Sequence, residues 1–275
     1  MLVNNLKIML LTPPTILCLS GFDPSGGAGI QADIESIASM GGHAVPVITA
    51  LTVQNTQNVS YFQAIDAELF TAQINKLLED VSVNAIKIGM IGSLKILESI
   101  AAVLKANPKL PVIYDPVLAA GGDSGGTNLT ESGIIAAIQK LILPHTTILT
   151  PNSPEARLLS GENDLKSCCE KLMQMGCHSV LLTGTHEDNQ HVDNLWFDDG
   201  RYVETFSWDR LPHEYHGSGC TLASAIAALI AQGLDSFNAI NEAQDYSWNT
   251  LKHAFKISEK GQLIPHRFYW QHTDE

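Results

Sequence analysis

Six short, continuously apolar runs recur along the chain with longer segments of helical period between them: ILCLS at 16–20, VPVITALT at 45–52, IKIGM at 86–90, PVIYD at 111–115, TILT at 147–150 and SVLLT at 179–183. A run of this kind belongs to a strand covered on both faces, which is the mark of a mostly parallel sheet. Segments 28–40, 66–80, 93–106, 130–142, 164–175, 219–232 and 235–255 read as helices. Their alternation with the runs at uneven spacing favours a doubly wound open α/β sheet over a barrel. One segment departs from the rhythm. NLWFDDGRYVETF at 194–206 alternates apolar and polar residues on either side of Asp199-Gly200, the signature of a β-hairpin. No linker, low-complexity tract or repeat interrupts the pattern, so residues 1–275 are read as a single domain.

With 45% hydrophobic and 16% charged residues, the chain has the apolar content to offset its conformational entropy, and intrinsic disorder is excluded. Sixteen Lys and Arg against 29 Asp and Glu leave a formal charge of −13. Without a basic run, that balance argues against a nucleic-acid groove. Any anionic ligand must then be held locally, by backbone amides, a helix N-terminus or a metal. Five cysteines, none in a C-x-x-C pair, form neither a disulfide framework nor a zinc site, which points to a reducing cytoplasmic setting. No apolar run reaches the roughly 18 residues of a membrane span. The stretch Lys7–Leu11 is short and followed by Pro13-Pro14, unlike a signal peptide.

In an open parallel sheet, ligand-binding loops lie at the carboxyl ends of strands. The first such loop, SGFDPSGGAGIQAD at 20–33, places glycines 26, 27 and 29 before a helix, where backbone can approach a ligand closely. It lacks the Lys-Ser/Thr pair of a Walker A loop. Gly27–Ala32 does match G-x-G-x-x-A, which keeps a nicotinamide-dependent oxidoreductase among the alternatives. Asp33 in that helix and Gln54 at the end of a strand can read the donor and acceptor edge of a small heterocycle, or merely complement a dipole and tie down a loop. Asp115 and the Asn152-Ser-Pro-Glu155 segment put hard oxygen ligands at two strand ends, as Mg²⁺ carried by a nucleotide requires; Glu155 can equally be a first-turn acid behind an Asn152 cap. Gly217-Ser218-Gly219-Cys220-Thr221 runs into a helix of small residues, so unpaired amides converge into an anion hole without a lysine. Cys220 in the first turn is expected to have a lowered thiol pKa and to accept a proton, the alternative being a small buried cysteine. Cys18 and the pair Cys168-Cys169 read as buried packing. His216 can orient the loop.

These loops, in this order, resemble the vitamin-kinase branch of the ribokinase-like superfamily, and most closely the hydroxymethylpyrimidine/phosphomethylpyrimidine kinases of thiamine biosynthesis. The stretches that carry the resemblance are GFDPSGGAGIQADIESIASMGGHAVPVITALTVQNT, IKIGMIGS, YDPVLAAGG, TPNSPEA and HGSGCTLASAIAALIAQG. The resemblance implies a ribokinase-like fold, a mostly parallel central sheet of about eight strands flanked by helices on both faces. It also implies ATP as phosphoryl donor, Mg²⁺, room for a monovalent cation, and a homodimer. Asp33 and Gln54 match residues that bind the aminopyrimidine, with Gly21, Met90 and Val117 lining its pocket. Asn152 and Glu155 match the N-x-x-E motif that organises Mg²⁺, with Asp115 near the phosphates. Gly217, Ser218, Gly219 and Cys220 match the anion hole and base. The resemblance also implies that Asn152, Thr183 and Gly184 contact the nucleotide, though many members carry a lysine over the phosphates where this chain has Thr183. That departure puts the second phosphorylation in doubt. The loop 119–127 differs from the commoner pattern and reads as a lid. The C-terminal GQLIPHRFYWQH is expected near the nucleotide end. Pyridoxal kinase activity and a non-catalytic pyrimidine-binding module are the competing functions.

Overall fold

The computed structural model describes residues 12–120, 127–128 and 132–272. The chain runs β1 (Thr15–Phe22), α1 (Gly29–Ser39), β2 (His43–Gln54), β3 (Val59–Ala64), α2 (Ala67–Leu78), β4 (Ala85–Ile88), α3 (Leu94–Ala106) and β5 (Val112–Tyr114). A two-residue ribbon follows, β6 (Ala119–Ala120) with β7 (Thr127–Asn128), and then α4 (Ile134–Leu141), β8 (Ile148–Leu149), α5 (Ser153–Ser160), α6 (Leu165–Gln174) and β9 (Ser179–Leu182). The hairpin β10 (His191–Asp198) and β11 (Arg201–Asp209) precedes α7 (Ser218–Ala231) and α8 (Ser236–Lys252). Most of the expected lid, and the first two residues of the expected helix 130–142, lie outside the described residues, as does Lys7–Leu11.

The main sheet has nine strands in the order β11-β10-β9-β8-β5-β4-β1-β2-β3, one more than the expected eight. The block from β2 to β9 is parallel, while β3, β10 and β11 are joined antiparallel. Alternate strand residues face opposite sides, and each side has its own core. Leu17, Leu19, Ile86, Ile88 and Leu149 pack against α2 to α6. Ile16, Cys18, Ala85, Ile113 and Leu181 pack against α1, α7 and α8. Helix α7 fits closely to the sheet because its residues are small: every one from Cys220 to Leu229 is buried. Helix α5, which the periodicity did not delimit, is started by a reciprocal cap. The Asn152 side chain accepts from the Glu155 amide at 2.9 Å, and the Glu155 carboxylate accepts from the Asn152 amide at 3.0 Å.

Strand β1 is followed on one side by β2, and the chain then crosses back to place β4 on the other. This reversal opens a crevice at the carboxyl ends of β1 and β4, where ligands bind in sheets of this type. Among the described residues no helix is long and apolar enough to cross a membrane.

The hairpin is anchored by Trp196, which is 4% exposed. It stacks near Phe206 and Phe237, and its indole N–H donates to Ser179 Oγ at 2.8 Å. Replacing it removes a large buried ring and the bond that the Ser179 hydroxyl accepts, while that hydroxyl keeps its own bond to the Phe197 carbonyl. Trp196→Ala should therefore cost about 3–5 kcal/mol in urea unfolding. A loss below about 1 kcal/mol would mean that the hairpin is not part of the cooperative core.

Candidate active site

The glycines of the loop after β1 are required by contact. Gly26 and Gly29 have φ of 75° and 57°, in the left-handed region that glycine tolerates. A Cβ on Gly29 would collide with the Gly21 carbonyl. At the start of α7, Gly217 has φ 88° and provides no side-chain cap, so the first amides of the helix stay open toward the crevice. A Cβ on Gly217 would strike the Gly27 carbonyl. The two glycine loops therefore touch.

A side-chain network fixes that contact. Asp23, only 2% exposed, accepts from the amides of Ser25 and Ala28 at 2.8 and 2.9 Å and pairs with His216 Nε2 at 2.8 Å. Burial alone would raise the Asp23 carboxyl, but the bonds from His216 and Ser25 outweigh it and hold the group below its usual range. His216 thus does orient the loop, through a partner that no sequence spacing announced.

Around this junction lies a cavity of about 250 Å³. Its walls bring together Gly21, Gln54, Met90, Asp115, Val117, Asn152, Glu155, Thr183, Gly217, Ser218, Gly219 and Cys220 from seven loops and strand ends. A second cavity, of about 530 Å³, is lined by Trp208, Trp248, Asn194 and Gln244 among others. The two share Thr183, His186, Ser218, Gly219 and Gln262, so the open amides of α7 sit at the neck between them. Gln262 places the start of the C-terminal segment there as well.

Two expected ligand contacts need correction. Asp33 does not reach the cavity: its side chain is fully buried behind the wall, paired with Lys87 Nζ at 2.7 Å and accepting from Ser224 Oγ at 2.7 Å. Gly184 lines neither cavity, because its amide donates to Asn194 Oδ1 at 3.1 Å and its α-carbon lies against the Asp193 carbonyl.

Lys87, fully buried in β4, also donates to Ser20 Oγ at 3.2 Å. Burial alone would pull its ammonium down, but the charges of Asp33 and Asp115 hold it above its usual value. It remains a cation, but a sealed one, and cannot replace the lysine absent at Thr183.

The expected sign of the Cys220 shift is also overturned. Its thiol is pushed up to about 12, chiefly by burial. Lys87 and the Gly29 amide pull it down, but Asp115 and Asp33 push the other way. The thiol is therefore protonated at neutral pH and donates a hydrogen bond to the Asp115 carboxylate.

Asp115 and Glu155 are both raised, first by burial, and Glu155 further by the Asp115 charge facing it. Asp115 Oδ2 is buried without a partner. Two desolvated carboxylates, one with an orphaned oxygen, fit a hard divalent cation that keeps several waters and reaches the protein through few groups. Among the described residues no cluster of three or more His, Cys, Asp or Glu forms a complete metal cage.

A crevice at a strand-order reversal, with two adjoining cavities and an amide-lined neck between them, is the arrangement of a small-molecule kinase of ribokinase-like fold. The comparisons make this specific. The family described as phosphomethylpyrimidine kinase matches residues 23–264. A hydroxymethylpyrimidine/phosphomethylpyrimidine kinase of Rhizobium meliloti is 35% identical over 260 residues, covering 92% of this chain and 96% of the relative. Among solved structures, the Staphylococcus aureus pyridoxal kinase in complex with AMP-PCP and pyridoxal superposes with a TM-score of 0.84 at 25% identity, covering 94% and 96% of the two chains. A phosphomethylpyrimidine kinase from Clostridium difficile gives 0.74 at 30% identity, covering 86% and 98%. The chain belongs to the phosphomethylpyrimidine kinase family.

Only the ionised thiol reacts with iodoacetamide, so a pKa of about 12 makes the alkylation of Cys220 rise with pH beyond neutrality. Peptide mapping by mass spectrometry should show roughly tenfold faster labelling per pH unit from 7 to 10, with no plateau. A plateau near pH 7 would restore the lowered pKa.

Proposed function

We propose that the protein transfers the γ-phosphoryl group of ATP to the hydroxymethyl group of 4-amino-5-hydroxymethyl-2-methylpyrimidine, and then to the resulting monophosphate, in thiamine biosynthesis. The observation that carries this reading is that the open amides of Ser218 and Gly219 lie at the neck shared by two cavities, with Cys220 beside them in the wall of the smaller one. The smaller cavity takes the pyrimidine. Gln54 offers an amide to its donor and acceptor edge, while Met90 and Val117 supply apolar contact for the ring. The larger cavity takes the nucleotide, with Trp208 and Trp248 near its base end and Ser218 and Gly219 at its phosphate end.

In the transfer, the hydroxymethyl oxygen bonds to the γ-phosphorus as the bond to the ADP oxygen breaks. The hydroxyl proton passes to Cys220 Sγ, which must first be ionised, and the amides of Ser218, Gly219 and Cys220 stabilise charge on the transferring group. A thiol at about 12 is ionised in roughly one molecule in 10⁵ at pH 7. Every interaction that takes up the Asp115 charge lowers this barrier, since that charge helps to keep the thiol protonated. Asp115 and Glu155 would hold Mg²⁺, with Asn152 orienting Glu155 through the reciprocal cap. A bound cation would supply positive charge to the phosphates there.

The same proposal includes one catalytic domain, homodimeric assembly and a cytoplasmic setting, without nucleic-acid or membrane partners. Pyridoxal phosphorylation is the second reading, favoured by the fold shared with the Staphylococcus aureus pyridoxal kinase. A coupled ADP-release assay with the pyrimidine alcohol, its monophosphate and pyridoxal discriminates them. The alcohol should be the preferred acceptor, and Cys220→Ala should lower kcat by about 10²-fold or more. ADP release with pyridoxal alone would transfer the assignment, and tight pyrimidine binding without turnover would make the protein a binding module.

Thr183 faces both cavities. Thr183→Lys should raise kcat with the monophosphate by about 10-fold or more, because a cation is restored beside the phosphates. An unchanged or reduced rate would mean that this chain stabilises the transfer without that charge.

A further inference from the structure

The C-terminal segment carries the largest fully buried side chain among the described residues, Arg267. Its guanidinium is shared by three elements. One terminal nitrogen donates to the Gly27 carbonyl at 2.6 Å, the other pairs with Glu35 Oε2 on α1 at 3.1 Å, and Nε donates to Thr221 Oγ1 on α7 at 3.0 Å. The Thr221 hydroxyl in turn donates to the Gly217 carbonyl at 2.8 Å. Arg267 therefore holds one glycine loop directly and the other through Thr221, on the two residues, Gly27 and Gly217, where those loops touch. The segment is itself fixed by the Tyr246 hydroxyl, which donates to the Arg267 carbonyl at 2.9 Å.

A buried guanidinium with oxygen acceptors on three separate elements is more than is needed to seat a chain terminus, since desolvating it is costly unless every bond is made. Two of the three bonds, to the Gly27 carbonyl and to Thr221, act together on the spacing of the two loops. We infer that Arg267 is a positioning residue of phosphoryl transfer: acting through Gly27 and the Thr221–Gly217 bond, it sets the separation of the glycine loop after β1 from the amide cradle at the start of α7. It touches neither cavity. The inference rests on the kinase reading, whose own test is turnover by the unaltered protein.

Lysine keeps the charge at 267 but cannot serve three acceptors in a planar fork. In the full-length protein, Arg267→Lys should lower kcat at least 10-fold with KM for the pyrimidine alcohol and for ATP within about threefold, per folded molecule counted by circular dichroism. Thr221→Val, close in volume and unable to relay the bond, should produce the same split, and the double variant should lose little more than either single one. Glu35→Gln breaks the partly exposed ion pair but leaves both loop bonds, and should keep kcat within twofold while lowering Tm slightly. If Arg267→Lys does not fold, Thr221→Val alone decides. The inference is overturned if kcat per folded molecule stays within twofold in Arg267→Lys or Thr221→Val, if their losses multiply in the double variant, or if Glu35→Gln loses as much as they do. No turnover in the unaltered protein would instead overturn the kinase reading beneath it.

Discussion

The pairing of Lys87 with Asp33 underlies both the fold and the site. It joins β4 to α1, Ser224 brings in α7, and Ser20 brings in β1, all without access to solvent. Neither charge could remain in that place alone, because removing one partner of a buried pair leaves the other uncompensated at a cost of about 3–5 kcal/mol. Gly89, next along from β4, has no side chain because a Cβ there would run into Ser20 Oγ and Lys87 Nζ. The pair also sets the electrostatics beneath Cys220, with the ammonium drawing the thiol pKa down and the Asp33 carboxylate raising it.

Above this floor, the chain solves the problem set by its own charge. A protein at −13 repels nucleotides at long range, and among the described residues that line the two cavities none is a lysine, with Thr183 standing at their neck. In the proposed function attraction comes instead from short-range donors, the uncapped amides of α7, held in place because two glycine loops meet without side chains between them. The His216–Asp23 pair ties the same two loops from the crevice side, and Arg267 ties them from behind.

Much of this was legible from sequence because the signals were local. Six apolar runs became the parallel block, Asp199-Gly200 turned the hairpin, and twelve residues chosen from separate loops share one cavity. What escaped detection was not local. Strand β3 lies at an edge with one face exposed, so it shows no continuous apolar run. Lys87 sat inside the run IKIGM, where the pattern showed a buried strand but not the carboxylate 54 positions earlier that makes its burial tolerable. Asp33 looked like a ligand contact because its spacing from the glycines is right; only the packing of α1 shows it turned to the sheet. The helix terminus alone suggests a lowered Cys220 thiol, but burial together with the Asp115 and Asp33 carboxylates reverses the shift. Arg267 offered no motif at all, since its partners are 46, 232 and 240 positions away.

The central claim is that the first amides of α7 receive the phosphoryl group in flight. Hydrogen exchange of Ser218, Gly219 and Cys220, followed in the complex with ADP, aluminium fluoride, Mg²⁺ and the pyrimidine alcohol, tests it most directly. Strong slowing at these three amides relative to the unliganded protein, with the interior of α7 unchanged, is the expected result. Equal exchange with and without the complex, once its formation is verified independently, would contradict it.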